Sequence, residues 1–167
     1  MLLWPDEMFH RIYEIPASFL QEKGVRTILL DVDNTLTTHD NPIPHEKILS
    51  WLETMREAGF RLMILSNNTP QRVAPFAEGL GLEYIADAHK PLSGPLKKAL
   101  SRMGGEMKST VLIGDQIFTD ILCGNLAGCL SVLVEPMELE PMPQFKLKRF
   151  LERPILWLYR KTRRRKG

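Results

Sequence analysis

The 167-residue chain has no long hydrophobic run; its uninterrupted apolar stretches extend only a handful of residues, as at 155–159. A helix crossing a bilayer needs about 20 such residues, so none is expected to span a membrane. The opening MLLWPDEMF has neither the charged start nor the length of a secretory leader. A cytoplasmic location is the expectation. Cysteine is scarce too. Cys123 and Cys129 stand in an apolar stretch with five residues between them, a spacing that fits neither a zinc pair nor a redox CxxC motif; both read as small buried hydrophobes. Internal repeats and low-complexity tracts are absent. What remains, 44% hydrophobic and 25% charged, is the composition of an ordinary soluble globular domain large enough to bury a core.

The formal charge of +2 conceals a division. Ten of the 22 Lys and Arg residues fall within 146–166, with Glu152 as the single acid there, which leaves twelve basic and nineteen acidic residues elsewhere, a net charge of −7. The sequence thus divides into a domain over 1–143 and a basic amphipathic C-terminal tail over 144–167, with the proline-containing stretch 135–143 as the link.

Within the domain, apolar strands alternate with helical periods. Strands are expected over 27–33, 60–66, 83–86, 109–114 and 130–135, and helices over 46–58, 69–79, 94–102 and 118–126, with Pro70 suited to a first helical position and Gly59 and Gly128 to helix ends. Such alternation predicts an α/β fold, a parallel sheet of about five strands with helices on both faces. Ligands of such sheets bind at the carboxyl ends of the strands, near the point where strand order reverses. The polar residues predicted there are Asp31 and Asp33, Ser66 and Asn67, Asp115, and Lys90 in the loop after the third strand.

The stretch TILLDVDNTLTTHDNP, 27–42, ends an apolar run in two carboxylates that share a face of an extended chain. Asp31, Asp33 and Thr35 match positions 1, 3 and 5 of a calcium-binding EF-hand loop. That loop requires Gly at position 6 and Glu at position 12, where this chain has Leu36 and Pro42. Together with Asp115, the two aspartates instead make three carboxylates at one end of the sheet, a repulsive set without a cation. Hard oxygen ligands suit Mg²⁺, which takes one or two carboxylates along with a substrate phosphate. A metal, a carboxylate nucleophile, a lysine and a hydroxyl form a phosphoryl-transfer constellation. The bland readings are that Asp31 and Asp33 cap a loop, that Ser66 is a turn residue, that Lys90 is a solvated charge before Pro91, and that Asp120 caps its own helix. His39, His45 and His89 read as surface or turn residues.

In these residues the chain resembles the haloacid dehalogenase (HAD) superfamily and its phosphatase branch. DVDNT matches the first motif, Ser66 of LSNN the second, Lys90 the third, and GDQIFTD, 114–120, the fourth, all in the family's order over roughly 24–134. The LSNN form, GNLAG after the fourth motif and the basic tail resemble the subfamily IIIA phosphatases of the YqeG type, relatives of phosphatidylglycerophosphate phosphatases. The resemblance implies a Rossmann-like fold, with Asp31 as nucleophile and Asp33 as general acid and then base. It implies Mg²⁺ held by Asp31, Asp115 and the main-chain carbonyl of Asp33 with Asp120 in support, Thr35 orienting the loop, and Ser66, Asn67 and Lys90 on the phosphate side.

Only 32 residues lie between Asp33 and Ser66 and 23 between Ser66 and Lys90, and the predicted strands and helices consume nearly all of both. No cap domain fits. An open site suits a phosphorylated substrate that is macromolecular or carried on a surface, such as a lipid phosphate. In the tail, Leu147, Leu151, Ile155 and Leu158 recur at helical spacing among basic residues, with Pro154 expected to kink or restart the helix. Such a segment suits an anionic membrane face, which would make the protein peripheral; RNA or ribosome contact is the other polyanionic partner, and a helix packed on the domain is the plain structural alternative.

Overall fold

Apolar strands that are buried on both sides read as continuous hydrophobic runs, and the computed structural model, which describes residues 1–38, 41–138 and 142–163 (omitting the side chains of 145 and 163), stacks them in parallel. In chain order the elements are β1 (Glu7–Phe9), α1 (Ala17–Glu22), β2 (Thr27–Leu30), α2 (Glu46–Glu57), β3 (Arg61–Leu65), α3 (Pro70–Gly79), β4 (Glu83–Ile85), α4 (Gly94–Met103), β5 (Thr110–Gly114), α5 (Leu122–Ala127), β6 (Leu130–Val134) and α6 (Pro143–Arg163). The sheet order is β1-β6-β5-β2-β3-β4, with every pair parallel. The chain moves outward from β2 through β3 to β4, then crosses back to place β5 on the other side of β2. Order therefore reverses between β2 and β5, and Asp31 and Asp115 follow those two strands.

Alternate residues of each strand serve two cores. Ile28, Leu30, Ile64, Val111 and Ile113 pack with Ile48, Leu52 and Met55 of α2 and Val73 and Phe76 of α3. Leu29, Met63, Leu65 and Leu112 face Leu96, Ala99 and Leu100 of α4, together with Cys123 and Cys129. Both cysteines are free and buried. Burial raises the thiol pKa values, to about 11 for Cys123 and about 12 for Cys129, which suits inert packing groups.

The sheet has six strands where about five were expected. The extra one, β1, is three residues long and carries no periodic signal. It forms because β6 offers an unpaired edge: Glu7 pairs with Val132, and Asp6 fixes the register by accepting from the Ser131 amide (2.9 Å) and hydroxyl (3.3 Å). The expected helix over 118–126 begins as a π-helical turn, Ile117–Ile121, before α5. Pro154 lies inside α6, which continues through it as one 21-residue helix. Segments 34–65 and 67–89 contain only α2, β3, α3 and β4 among the described residues, which leaves no cap domain there. His39 lies outside the described residues, His45 is the N-terminal cap of α2, and His89 is in the loop after β4.

Helix α6 docks beside β6 and the π-helical turn. Ile155 and Leu156 pack on Ile117, Ile121 and Leu133, and Tyr159 meets Trp4 edge-on at 5.8 Å between ring centroids. Glu152, 2% exposed, accepts a hydrogen bond from the Ile117 amide at 2.8 Å, and Arg149 donates to the Asp115 carbonyl at 2.6 Å.

Candidate active site

The loop after β2 is set by its own backbone. The Asp31 amide donates to the Ile113 carbonyl of β5 at 3.0 Å, which extends the ladder one residue beyond β2. The amides of Thr35, Leu36 and Thr37 then all converge on the Val32 carbonyl (3.2, 2.9 and 3.2 Å), and the turn is closed by Asn34 in the left-handed region at φ 60°. Asparagine is among the few residue types that visit that conformation routinely, and the Asn34 Oδ1 here accepts from the Glu138 amide at 3.2 Å. The result presents Asp31 and Asp33 to one cavity of about 340 Å³, which Ser66, Asn67, Lys90 and Asp120 also line.

Lys90 organises the cavity floor. Its Nζ donates to Asp31 Oδ1 at 2.7 Å, to Asp120 Oδ1 at 2.6 Å and to the Leu65 carbonyl at 2.8 Å, using all three ammonium protons while 5% exposed. Burial opposes its charge, but the two carboxylates outweigh burial and hold its pKa above the usual lysine range. Asn67 fixes the lysine from behind: its Nδ2 donates to the Lys90 carbonyl (3.1 Å) and its Oδ1 accepts from the Lys90 amide (2.7 Å). Burial pushes Asp31 up to about 7 against the pull of Lys90, with Asp120 adding to the rise.

Asp115 is buried and shares one oxygen, Oδ2, with the Arg149 guanidinium. Its Oδ1 has no hydrogen-bond partner among the described residues. Burial raises its pKa well above the carboxylate range, with Arg149 pulling the other way. Asp120 accepts from the Gln116 amide at 3.1 Å and lies so close to β5 that a Cβ on Gly114 would sit 2.2 Å from its Cγ. Only glycine at 114 leaves room for it. One oxygen from each of Asp31, Asp115 and Asp120 lies within 4.8 Å of the others. An orphaned carboxylate oxygen inside a buried acidic cluster is the donor set a hard divalent cation satisfies, so the residues fit the metal that the sequence predicts.

The structure therefore brings Asp31, Asp33, Ser66, Asn67, Lys90 and Asp120 to one cavity, with Asp115 joined to it through the carboxylate cluster. Thr35 is buried but does not line the cavity, and its Oγ1 has no hydrogen-bond partner among the described residues. Ser66 Oγ accepts from the Asn68 amide at 3.1 Å. Asp33 is held by residues that sequence reasoning missed: Asn68 Nδ2 donates to its Oδ2 at 2.9 Å and Arg72 to its Oδ1 at 3.2 Å. The signal for Arg72 was its place in the first turn of α3, a cation at the helix end nearest the loop. Arg149 and Lys148 were missed as well, absorbed into the count of basic tail residues. Glu152, the only acid of that tail and three residues after Arg149, was the available clue.

Residues 4–128 match the haloacid dehalogenase-like hydrolase family, and the chain belongs to it. Among its relatives, it is 37% identical over 152 residues to the Bacillus subtilis protein called probable phosphatase YqeG, an alignment covering 91% of this chain and 88% of that one. The expected membership of the phosphatase branch is thereby shown, and the chain is a phosphatase. It is also 24% identical to an Arabidopsis thaliana phosphatidylglycerophosphate phosphatase, over 71% of this chain but only 36% of that protein. Among solved structures, a Listeria monocytogenes protein superposes with a TM-score of 0.58 at 18% identity (71% of this chain, 85% of that one). A cobalt-bound Haemophilus influenzae deoxy-D-mannose-octulosonate 8-phosphate phosphatase gives 0.54 at 15% identity (67% and 69%). These likenesses establish the shared fold.

Proposed function

We propose that the chain hydrolyses phosphomonoesters through a phospho-aspartate on Asp31, with Mg²⁺ as cofactor. The observation that carries this reading is the Lys90 ammonium pinned between Asp31 and Asp120 at 2.7 and 2.6 Å, beside the orphaned Oδ1 of Asp115. In the first step a carboxylate oxygen of Asp31 bonds to phosphorus as the ester P–O bond breaks, and Asp33 gives its proton to the departing alkoxide. In the second step the Asp33 carboxylate takes a proton from water as that water's oxygen bonds to phosphorus, and the bond from phosphorus to Asp31 breaks to release inorganic phosphate. Ser66 and Lys90 hold phosphoryl oxygens, Lys90 giving up one of its three present acceptors for the phosphate; Asn67 keeps Lys90 in place, and Thr35 supports the loop. Asp31, Asp115 and the Asp33 main-chain carbonyl would hold the metal with Asp120 behind them; bound there, it would neutralise phosphoryl charge. Asp31→Asn should abolish hydrolysis of 4-nitrophenyl phosphate, and EDTA should stop the wild-type reaction until Mg²⁺ is restored. Turnover that survives both treatments would refute the mechanism.

A second reading concerns where the substrate resides, and the outer face of α6 favours it. Leu147, Phe150, Leu151, Trp157 and Leu158 are all at least 42% exposed and recur at helical spacing, a second apolar stripe turned away from the domain. Lys146, Arg153, Arg160 and Lys161 flank it. An apolar stripe edged by cations suits an anionic lipid surface, whereas RNA would use the cations and leave the stripe unused. We infer a lipid phosphate as the substrate class that suits this face, in line with the name of the Arabidopsis relative.

A further inference from the structure

The capless site leaves open what covers the reacting phosphate, and α6 supplies a wall. Met142 and the α6 residues Gln144 and Lys148 line the same cavity as Asp31, Asp33 and Lys90. The helix cannot slide along that wall, because polar links register it. Arg149 donates to the Asp115 carbonyl at 2.6 Å and pairs with the Asp115 carboxylate, while Glu152 accepts from Arg149 at 3.1 Å and from the Ile117 amide at 2.8 Å. Apolar contacts of Ile155 and Leu156 and the ring contact of Tyr159 fasten the following turns. Also in the cavity lining, the Lys90 charge is already matched by two carboxylates. A phosphomonoester entering there brings up to two negative charges, and Lys148 adds a second lysine to the lining.

We propose that α6 is the lid of this site, with Lys148 a substrate-binding residue and Arg149 a positioning residue that registers the helix on Asp115. The proposal rests on the reading that the cavity takes a phosphomonoester. It gives a residue-level reason for the tail: one oxygen of Asp115 belongs to Arg149, the other is left for the cation, and the same helix turn carries Lys148 to the substrate.

The test uses the full chain with Mg²⁺, measuring kcat and KM on 4-nitrophenyl phosphate and titrating inorganic phosphate by calorimetry. Loss of one charge-assisted hydrogen bond should raise KM and the phosphate Kd about tenfold in Lys148→Ala, with the loss falling on KM more than kcat. Lys148→Arg should recover the affinity and Lys148→Glu should lose more than Lys148→Ala. Arg149→Met should weaken Mg²⁺ binding and speed amide exchange across 143–163, with Arg149→Lys recovering part of both. Unchanged KM and phosphate Kd in Lys148→Glu would overturn the lid even if hydrolysis is intact. Conversely, wild-type protein that turns over nothing yet binds phosphate more weakly once Lys148 is Glu would keep the lid and remove the phosphatase mechanism.

Discussion

Asp33 makes its hydrogen bonds to Asn68 and Arg72, whereas Asp31 makes its own to Lys90. Two acids with a single residue between them thus sit in different electrostatic company, which suits a division of labour. If Asp33 protonates the leaving group, Asp33→Asn should slow an alkyl phosphate about a hundredfold or more while sparing 4-nitrophenyl phosphate, whose phenolate needs little help. Equal losses on both substrates, read from kcat/KM, would assign Asp33 another role. Asp31 carries a pH signature of its own. Its pKa is raised from 3.8 to about 7, so between those values the metal-free fold keeps a proton that the unfolded chain has released. Stability without metal should therefore decline as pH rises from about 4 to about 7. A divalent cation needs that carboxylate ionised, so Mg²⁺ binding near pH 6.5 should expel protons and weaken as pH falls. Calorimetry in buffers of different ionisation enthalpy reads this directly; a titration heat independent of buffer would refute it. The spacing of Asp31 and Asp33 made both legible in the sequence, since period two fixes a shared face. Arg149 was not legible, because its partner lies 34 residues away and only tertiary packing brings them together.

Among elements, β2 and β5 were the most legible, because strands buried on both faces must be apolar throughout. The edge strand β1 was not, being three half-buried residues held by the Asp6–Ser131 pairing. The π-helical turn at Ile117–Ile121 escaped too, since its buried residues fit an ordinary helix equally well. That turn matters because it carries Asp120 back against β5, over Gly114. Gly114→Ala would force a Cβ to 2.2 Å from Asp120 Cγ, so we expect a loss of about 2 kcal/mol in urea-denaturation stability, along with weakened Mg²⁺ binding as Asp120 is displaced from Lys90. A variant as stable as the wild type, with unaltered metal affinity, would show that the strand and turn can part without consequence.

On the scale of the whole molecule, charge is segregated: the domain side is net negative and the tail strongly basic. No helix among the described residues is long and apolar enough to cross a membrane; the inferred lipid contact runs along the outer face of α6. We expect full-length protein to bind vesicles containing anionic lipid and to release them as salt rises, each basic residue near the surface contributing about 1 kcal/mol. Trp157→Ala with Phe150→Ala should weaken that binding without touching hydrolysis of 4-nitrophenyl phosphate, because both side chains face away from the cavity. Vesicle co-sedimentation unaffected by the double substitution would remove the outer stripe from the account.

Because one helix is wall on its inner side and apolar stripe on its outer side, any surface that receives the stripe is separated from the cavity of Asp31 and Asp33 by the thickness of that helix, about 10 Å. A phosphate lying flush with that surface could not reach Asp31. Reach therefore becomes a selection rule: the phosphoryl group has to be borne on an arm long enough to pass around α6, so short-stalked and long-stalked phosphates in the same bilayer should be distinguished by geometry alone.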